Sequence, residues 1–426
     1  MNYNEALKYL DKQQHFGIKP GLDRIQLLLE KLGNPQEGMT FVHIAGTNGK
    51  GSVTSMLTSI CASAGLKTGN FTSPHLESYN ERIYINGKDV SDEEFSEAVS
   101  KVKEVADMIT QEEFCPTQFE VLTAAAFYLF KKAGLDIVVL EVGMGGLFDS
   151  TNVIVPECSI ITNVGIDHTG YLGETLEDIA NQKAGIIKAG IPVVTAAESV
   201  ALNILIDKAV PLKADLHVFR IDFTAIAMGG DLGKQRFMFR KGDFVANFVV
   251  SLGGDHQVSN AALAVMASRI LSEKHPQITV EAIQEGLLNV KWPGRLELLH
   301  EQPDIILDGA HNPQGAMALR TALDKYRPGQ NITFIIGIMK DKDIEAMIDV
   351  LVRDTDTLIA IKADDSERAA IPDEIIKYSK GNNIICDDLK EAVSAARKAA
   401  GNNGTVCIAG SLYLAGRIRH IILDCL

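Results

Sequence analysis

The stretch "FVHIAGTNGKGSV", Phe41 to Val53, decides how the rest of the chain is read. An apolar β-type run ends in a glycine-rich turn, and Val53, Met56, Leu57, Ile60, Cys61 and Ala64 then recur at helical spacing. That pattern predicts a strand, a glycine turn and a helix starting near Lys50. Such an arrangement binds phosphate: backbone N–H groups and the positive helix end face the anion, and Lys50 adds a full charge. The stretch departs from the common pattern G-x-x-x-x-G-K-[ST], because Ile44 stands where its first glycine belongs and Gly51 where its hydroxyl belongs, with Ser52 one place later. A plain βα turn, with glycines for tight geometry, is the competing reading.

On either side, apolar runs alternate with helical patterns. Strands are expected at "TFVHIAG" (40–46), "DIVVLEVG" (136–143), "CSIITNVG" (158–165) and "IPVVTA" (191–196), with helices such as 119–133 and 176–188 between them. Near-continuous apolar strands separated by helices predict a parallel sheet covered on both faces. Residues 215–250 read differently, as short hairpin strands "LHVFRIDF", "RFMFRKG" and "FVANFVVSL" forming a small β-addition to the first domain. After "WPGR" (292–295) the alternation restarts with "DIILDGA", "NITFIIGI", "DTLIAIKA", "NIICDD" and "TVCIAGS". The expectation is an α/β protein of two domains, 1–293 with a parallel-rich sheet and 294–426 as a smaller Rossmann-like unit.

Bulk properties bound the function. At 426 residues the chain is long for a single core. Its 46% hydrophobic and 23% charged residues suit an ordinary globular protein. A net charge of −14 argues against nucleic-acid or anionic-membrane binding through bulk electrostatics. The six cysteines form no C-x-x-C pair and mostly sit in apolar runs, as reduced buried thiols do. "MNYNEALKYLDKQQ" has no apolar signal core, and no run approaches the roughly 18 residues of a membrane span, so a cytoplasmic protein is expected.

Several strand ends carry polar residues. Glu141 closes the apolar run of "DIVVLEVGMGG", where nucleotide-binding folds place a magnesium-side acid, although an ordinary polar strand exit looks the same. Asp167 and His168 follow another strand in "ITNVGIDHTGYLG". Parallel strands deliver such ends to one crevice. In "LEDIANQKAGIIK" the apolar stripe runs through Leu176, Ile179, Ala180 and Ile187, and Lys183 falls on it. Either Lys183 snorkels outward, or burial leaves it a neutral amine available for chemistry. In the second half, Arg295 stands at the domain junction and Asp308 and His311 follow a strand, with Asn312 and Pro313 able to cap and begin a helix. A capping loop with incidental polar residues is the bland alternative there. No G-x-G-x-x-G follows a strand in this half, which leaves a dinucleotide site poorly supported.

Taken in order, "GTNGKGS", "TSPHL", "LEVGMGG", "DHTGYLG", "KAGIIK", "WPGR" and "LDGAHNP" resemble the motifs of folylpolyglutamate synthases, with or without dihydrofolate synthase activity, in the Mur ligase-like group of ATP-dependent amide-forming ligases. The resemblance runs from "GIKPGLDRI" to "AGSLYLAG", nearly the whole chain. It implies an N-terminal P-loop-type Mur ligase ATPase domain and a C-terminal glutamate-ligase domain. It implies ATP phosphates cradled by Asn48, Gly49, Lys50, Gly51 and Ser52, with Asn260, Arg295, Asp308, Lys340 and Asp341 as further ATP contacts. Ser73, Glu141, His168 and Lys183, the last as a carbamate, match the positions that hold two magnesium ions. Lys50, Lys183 and His311 match catalytic positions. Gly21, Leu22, Asp23 and Arg24, with Thr117, Gln118, Phe119 and Glu120, match segments lining the pterin site.

The reaction so implied joins L-glutamate to the γ-carboxylate of a folate through an acyl phosphate, in a monomer without nucleic-acid or membrane partners. Joining glutamate to dihydropteroate, alone or as a second activity, is the alternative. A muramyl-peptide ligase fits "TSPHL" and "KAGIIK" less well, and a non-catalytic nucleotide binder has no need of Lys50, Glu141, His168 and Lys183 together. One departure stands out: Leu147 follows "LEVGMGG" where the family commonly carries arginine.

Overall fold

A computed structural model describes residues 1–14, 20–109 and 114–424. The opening of "GIKPGLDRI" and Cys425 lie outside them. The chain divides into two compact units, residues 1–225, 239–248 and 259–290 forming the first and residues 226–238, 249–258 and 291–426 the second.

The first unit is built on β1 (Phe41–Ala45), β2 (Thr68–Phe71), β3 (Ile83–Ile85), β4 (Lys88–Asp89), β5 (Ile137–Glu141), β6 (Cys158–Ile161), β7 (Val193–Thr195) and β8 (Leu216–Val218). Their order across the sheet is β4-β3-β2-β5-β1-β6-β7-β8. From β2 to β8 every neighbouring pair is parallel, and β3 and β4 add an antiparallel edge. Every residue of β1 and β5 is buried, as expected of central strands covered on both faces. On one side, Val121, Leu122, Phe127 and Phe130 of the helix Gln118–Ala133 join Phe95, Val99 and Val102 of the helix Asp92–Met108 in a single core. The connection leaving β1 runs to β2, while β5 connects across β1 to β6, so the direction of winding reverses beside β1. In open α/β sheets that reversal marks the ligand crevice.

Two expectations change here. Leu216–Val218 is not a hairpin strand: it pairs parallel with β7 at the sheet edge. The helix expected over 176–188 ends at Ala184, because the chain turns at Gly185, whose backbone lies against Leu147. The hairpin strands proper are β9 (Thr224–Gly230), β10 (Gln235–Lys241) and β11 (Phe244–Val250), a three-stranded sheet whose residues are divided between the two units.

The second unit carries β12 (Glu297–His300), β13 (Asp304–Leu307), β14 (Ile332–Ile336), β15 (Thr357–Ala360), β16 (Asn382–Ile385) and β17 (Thr405–Ala409), ordered β12-β13-β17-β14-β15-β16. Only β12 runs antiparallel to its neighbour. Asn312 caps the helix Pro313–Tyr326 by accepting from Gly315 N at 2.8 Å, with Pro313 in its first turn. Among the described residues no helix is long and apolar enough to cross a membrane.

Candidate active site

The glycine turn after β1 is pinned from the neighbouring β6 loop. Asn48 N donates to Asn163 Oδ1 at 2.9 Å, and Thr162 Oγ1 donates to Asn48 O at 2.7 Å. Gly49 adopts a left-handed backbone with φ 86°, and no side chain caps the helix Lys50–Ser63 that starts after it. An uncapped first turn on a rigid glycine loop suits an anion, which takes the role of the cap. A Cβ on Gly49 would stand 2.5 Å from Asn260 Oδ1, so Asn260 lies directly on this loop. Lys50 Nζ turns back onto the turn, donating to Gly46 O at 3.0 Å and Thr47 O at 3.2 Å.

Sheet register brings the acid to the loop. Glu141 pairs with Ile44, two residues before Gly46, and is 3% exposed. His168 follows β6 in a left-handed conformation, φ 52°, at the start of the short helix Thr169–Leu172, with Asp167 beside it at 4.0 Å. Lys183 does not snorkel: it is 3% exposed on the helix Leu176–Ala184. Its amine is pushed down to about 7, by burial first and then by the positive charge of Lys50, against an opposing pull from Asp167. Lys50, Asp167 and Lys183 therefore share one electrostatic neighbourhood.

Ser73 sits on a loop that Glu81 folds. The Glu81 carboxylate accepts from Leu76 N at 2.7 Å, Glu77 N at 2.8 Å and Ser78 N at 2.7 Å. Arg82 Nε donates to His75 Nδ1 at 2.9 Å, and burial followed by the Arg82 charge takes His75 down to about 3. Glu81 does not stand out in the sequence, and His75 shows there only as part of "TSPHL".

Among the described residues no group of three or more His, Cys, Asp and Glu side chains is arranged to hold a metal ion. The candidate set instead offers the Ser73 hydroxyl, the Glu141 carboxylate and the His168 imidazole, while the buried amine of Lys183 shares the field of Lys50 and Asp167. Magnesium is commonly held by one or two carboxylates with substrate phosphates and waters completing the shell, so a buried carboxylate registered against the start of a phosphate loop fits it.

The pterin candidates are largely occupied in shaping their own segment. Glu120 pairs with Arg24 at 3.1 Å and accepts from Thr117 N at 2.7 Å, closing a capping box on the helix Gln118–Ala133. Gln118 Nε2 donates to the Tyr79 hydroxyl at 3.0 Å. Gly21 and Leu22 lead into the helix Asp23–Lys31, whose first residue, Asp23, is exposed. Phe119 is half-buried, 5.6 Å from the Phe71 ring and hard against Gly143.

In the second unit, Asp308 ties the loop after β13 to "WPGR" by accepting from Leu296 N at 2.9 Å and Ala310 N at 2.8 Å. Arg295 lies over Gly309, where a Cβ would stand 2.1 Å from its Nη1. His311 Nδ1 donates to Gly309 O at 2.8 Å. His256, which the sequence did not single out, joins this group: burial depresses its proton affinity, and it feels the charges of Asp308 and Arg295. Lys340 and Asp341 are exposed after β14.

The fold and the phosphate loop define an ATP-binding ligase unit of the Mur type. Residues 44–268 match the Mur ligase middle domain, and residues 294–412 match the Mur ligase glutamate ligase domain. The chain belongs, within the Mur ligases, to the folylpolyglutamate synthase/dihydrofolate synthase family. It is 36% identical to the dihydrofolate synthase/folylpolyglutamate synthase of Bacillus subtilis over 98% of each chain. A folylpolyglutamate synthase of Mycobacterium tuberculosis complexed with ADP superposes with a TM-score of 0.91 at 30% identity, covering 99% of this chain and 98% of that one. Escherichia coli FolC in complex with DHPP and ADP gives a TM-score of 0.89 at 28% identity, covering 100% of this chain and 98% of that one.

Proposed function

We propose that this chain uses Mg-ATP to join L-glutamate to the γ-carboxylate of a folate. The observation that carries this reading is the phosphate loop with a buried amine beside it: Lys50 on the loop and Lys183, held near 7, in its field. The folate carboxylate attacks the terminal phosphorus of ATP, releasing ADP and forming an acyl phosphate. The amine of glutamate then attacks the acyl carbon, expelling phosphate and leaving an amide. No covalent bond to the protein is needed.

Lys50 stabilises charge on the transferred phosphoryl group, and the uncapped helix start holds the oxygens behind it. Ser73, Glu141 and His168 would hold magnesium, which supplies charge neutralisation at the phosphoryl oxygens when bound. Lys183, as a neutral amine, adds to carbon dioxide with loss of a proton to give a carbamate, adding a carboxylate to this donor set. Asn260, Arg295 and Asp308, with Lys340 and Asp341, are the further nucleotide contacts we propose, and His311 is a catalytic candidate by its match to the family position. Phe119 stacks on the pterin ring. The second unit, matching the glutamate ligase domain, takes L-glutamate. The protein acts as a monomer in the cytoplasm.

A second acceptor has its own support. The Bacillus subtilis relative carries both activities in its name, and the Escherichia coli relative was solved with DHPP. Dihydropteroate is therefore a candidate acceptor here as well. ADP release by the purified chain with Mg-ATP and L-glutamate, compared between tetrahydrofolate and dihydropteroate with products identified by mass, tests both. Glutamate-dependent turnover with a product one glutamyl unit heavier supports the synthase reading. Silence with both acceptors sinks it.

A further inference from the structure

The loop leaving β5 and the end of the helix Leu176–Ala184 meet backbone to backbone. Leu147 N donates to Gln182 O at 2.7 Å. A Cβ on Gly146 would lie 2.8 Å from Gln182 O, and one on Gly185 would lie 2.3 Å from Leu147 Cα, so the contact depends on two glycines. Over this seam sits Asn152, 5% exposed. Its Nδ2 donates to Leu147 O on one side at 3.1 Å and to Gly185 O on the other at 3.2 Å. Two carbonyl partners fix which end of the amide points where.

Asn152 is itself anchored. Its N–H donates to Asp149 O at 2.9 Å, and Asp149 accepts from Met144 N and Thr151 N, both at 3.0 Å. The neighbouring Ser150 hydroxyl lies 2.9 Å from that of Thr123, on the helix that carries Phe119. The segment Asp149–Asn152 thus holds the start of the β5 loop, the pterin-side helix and the Lys183 helix at once.

We propose that Asn152 is a positioning residue for the metal-side groups. Its amide locks the helix end bearing Lys183 against the loop that starts at Glu141, setting the separation of those two side chains before nucleotide or metal arrives. The inference rests on the reading above that Glu141 and Lys183 flank magnesium. Residues that orient ligands from behind are worth about 10- to 100-fold in metal affinity.

The test is Mn²⁺ binding, followed by electron paramagnetic resonance, to the full chain with a non-hydrolysable ATP analogue present. Wild type, Asn152→Ala and Ser59→Ala are compared, with thermal unfolding run on each. Ser59 loses a comparable hydrogen bond, to Gly286 O at 2.7 Å, that joins two helices apart from this seam. Asn152→Ala is expected to weaken Mn²⁺ binding about tenfold, and to raise the Mg²⁺ half-saturation of ADP release in parallel, while Ser59→Ala leaves both in place. Should the alanine variant not fold, Asn152→Asp keeps the shape, removes the donor and is expected to show the same loss. Unchanged Mn²⁺ affinity in a folded Asn152 variant, or an equal loss in Ser59→Ala, overturns the proposal alone. A wild-type chain that binds no Mn²⁺ with the analogue overturns the metal reading and this proposal with it.

Discussion

His43 Nε2 lies 2.9 Å from Thr151 Oγ1, and the next bond in the chain decides the direction of this one. Thr151 spends its hydroxyl proton on Asp149 Oδ1, 2.5 Å away, so its oxygen accepts from His43 Nε2–H. The ring is fully buried in β1, and its Nδ1 has no hydrogen-bond partner. Burial, then the charge of Lys188, takes this histidine from its usual 6.5 to about 3. A neutral imidazole is thereby built into the strand that leads to the phosphate loop.

Stability should therefore depend on pH through His43. Between 6.5 and about 3 the unfolded chain binds a proton here that the folded chain does not, so stability falls as pH drops through that window. His43→Asn removes this component. Thermal unfolding midpoints measured from pH 7 to 4 are expected to fall less steeply in the variant than in wild type, even if its midpoint at pH 7 is lower. Parallel curves would rule the assignment out.

Gly49→Ala should cripple nucleotide binding. A residue with a Cβ costs about 1–2 kcal/mol in the left-handed region, and the new carbon would collide with Asn260, so the loop has to leave the shape that holds phosphate. Gly65 shares the positive φ, at 80°, but a Cβ there meets nothing within 4 Å. Calorimetric ADP titrations are expected to show a loss of at least about tenfold for Gly49→Ala and none for Gly65→Ala, which only lowers the unfolding temperature.

Gly143→Ala separates the two substrates. Its Cβ would stand 2.5 Å from Phe119 Cζ, a backbone-fixed intrusion that displaces the ring. Overpacking of this kind costs about 1–3 kcal/mol of stability, and because Phe119 is the ring proposed to stack on the pterin, the KM for the folate is expected to rise. The KM for ATP should not move. Equal changes in both would mean that the loop as a whole had shifted.

Glu81→Ala should loosen the Ser73 loop. Three backbone N–H groups lose a charged acceptor at once, and hydrogen bonds to charged groups are worth about 1.5–3 kcal/mol each before relaxation and hydration are counted. Hydrogen exchange at residues 76–78 is expected to speed up markedly, with a fall in Mg-ATP turnover. Exchange rates matching wild type would show that the loop is held by something else.

What was legible in the chain was local or periodic. Largely apolar runs announced β1 and β5, helical spacing announced the Lys50 helix, and the stripe through Leu176, Ile179 and Ala180 put Lys183 on the inward face while leaving snorkelling open, which its burial decides. Each of these follows from side-chain direction along a single element, which neighbouring residues fix. The pairing of Ile44 with Glu141, the clasp of Asn152 across Leu147 and Gly185, the proton held between His43 and Thr151 and the return of Leu216–Val218 to the large sheet do not follow from any such spacing. They join residues far apart in sequence, and which of them meet depends on strand order and on how closely two backbones approach. Hydrogen bonds between distant loops carry no period; they exist only once the chain has packed.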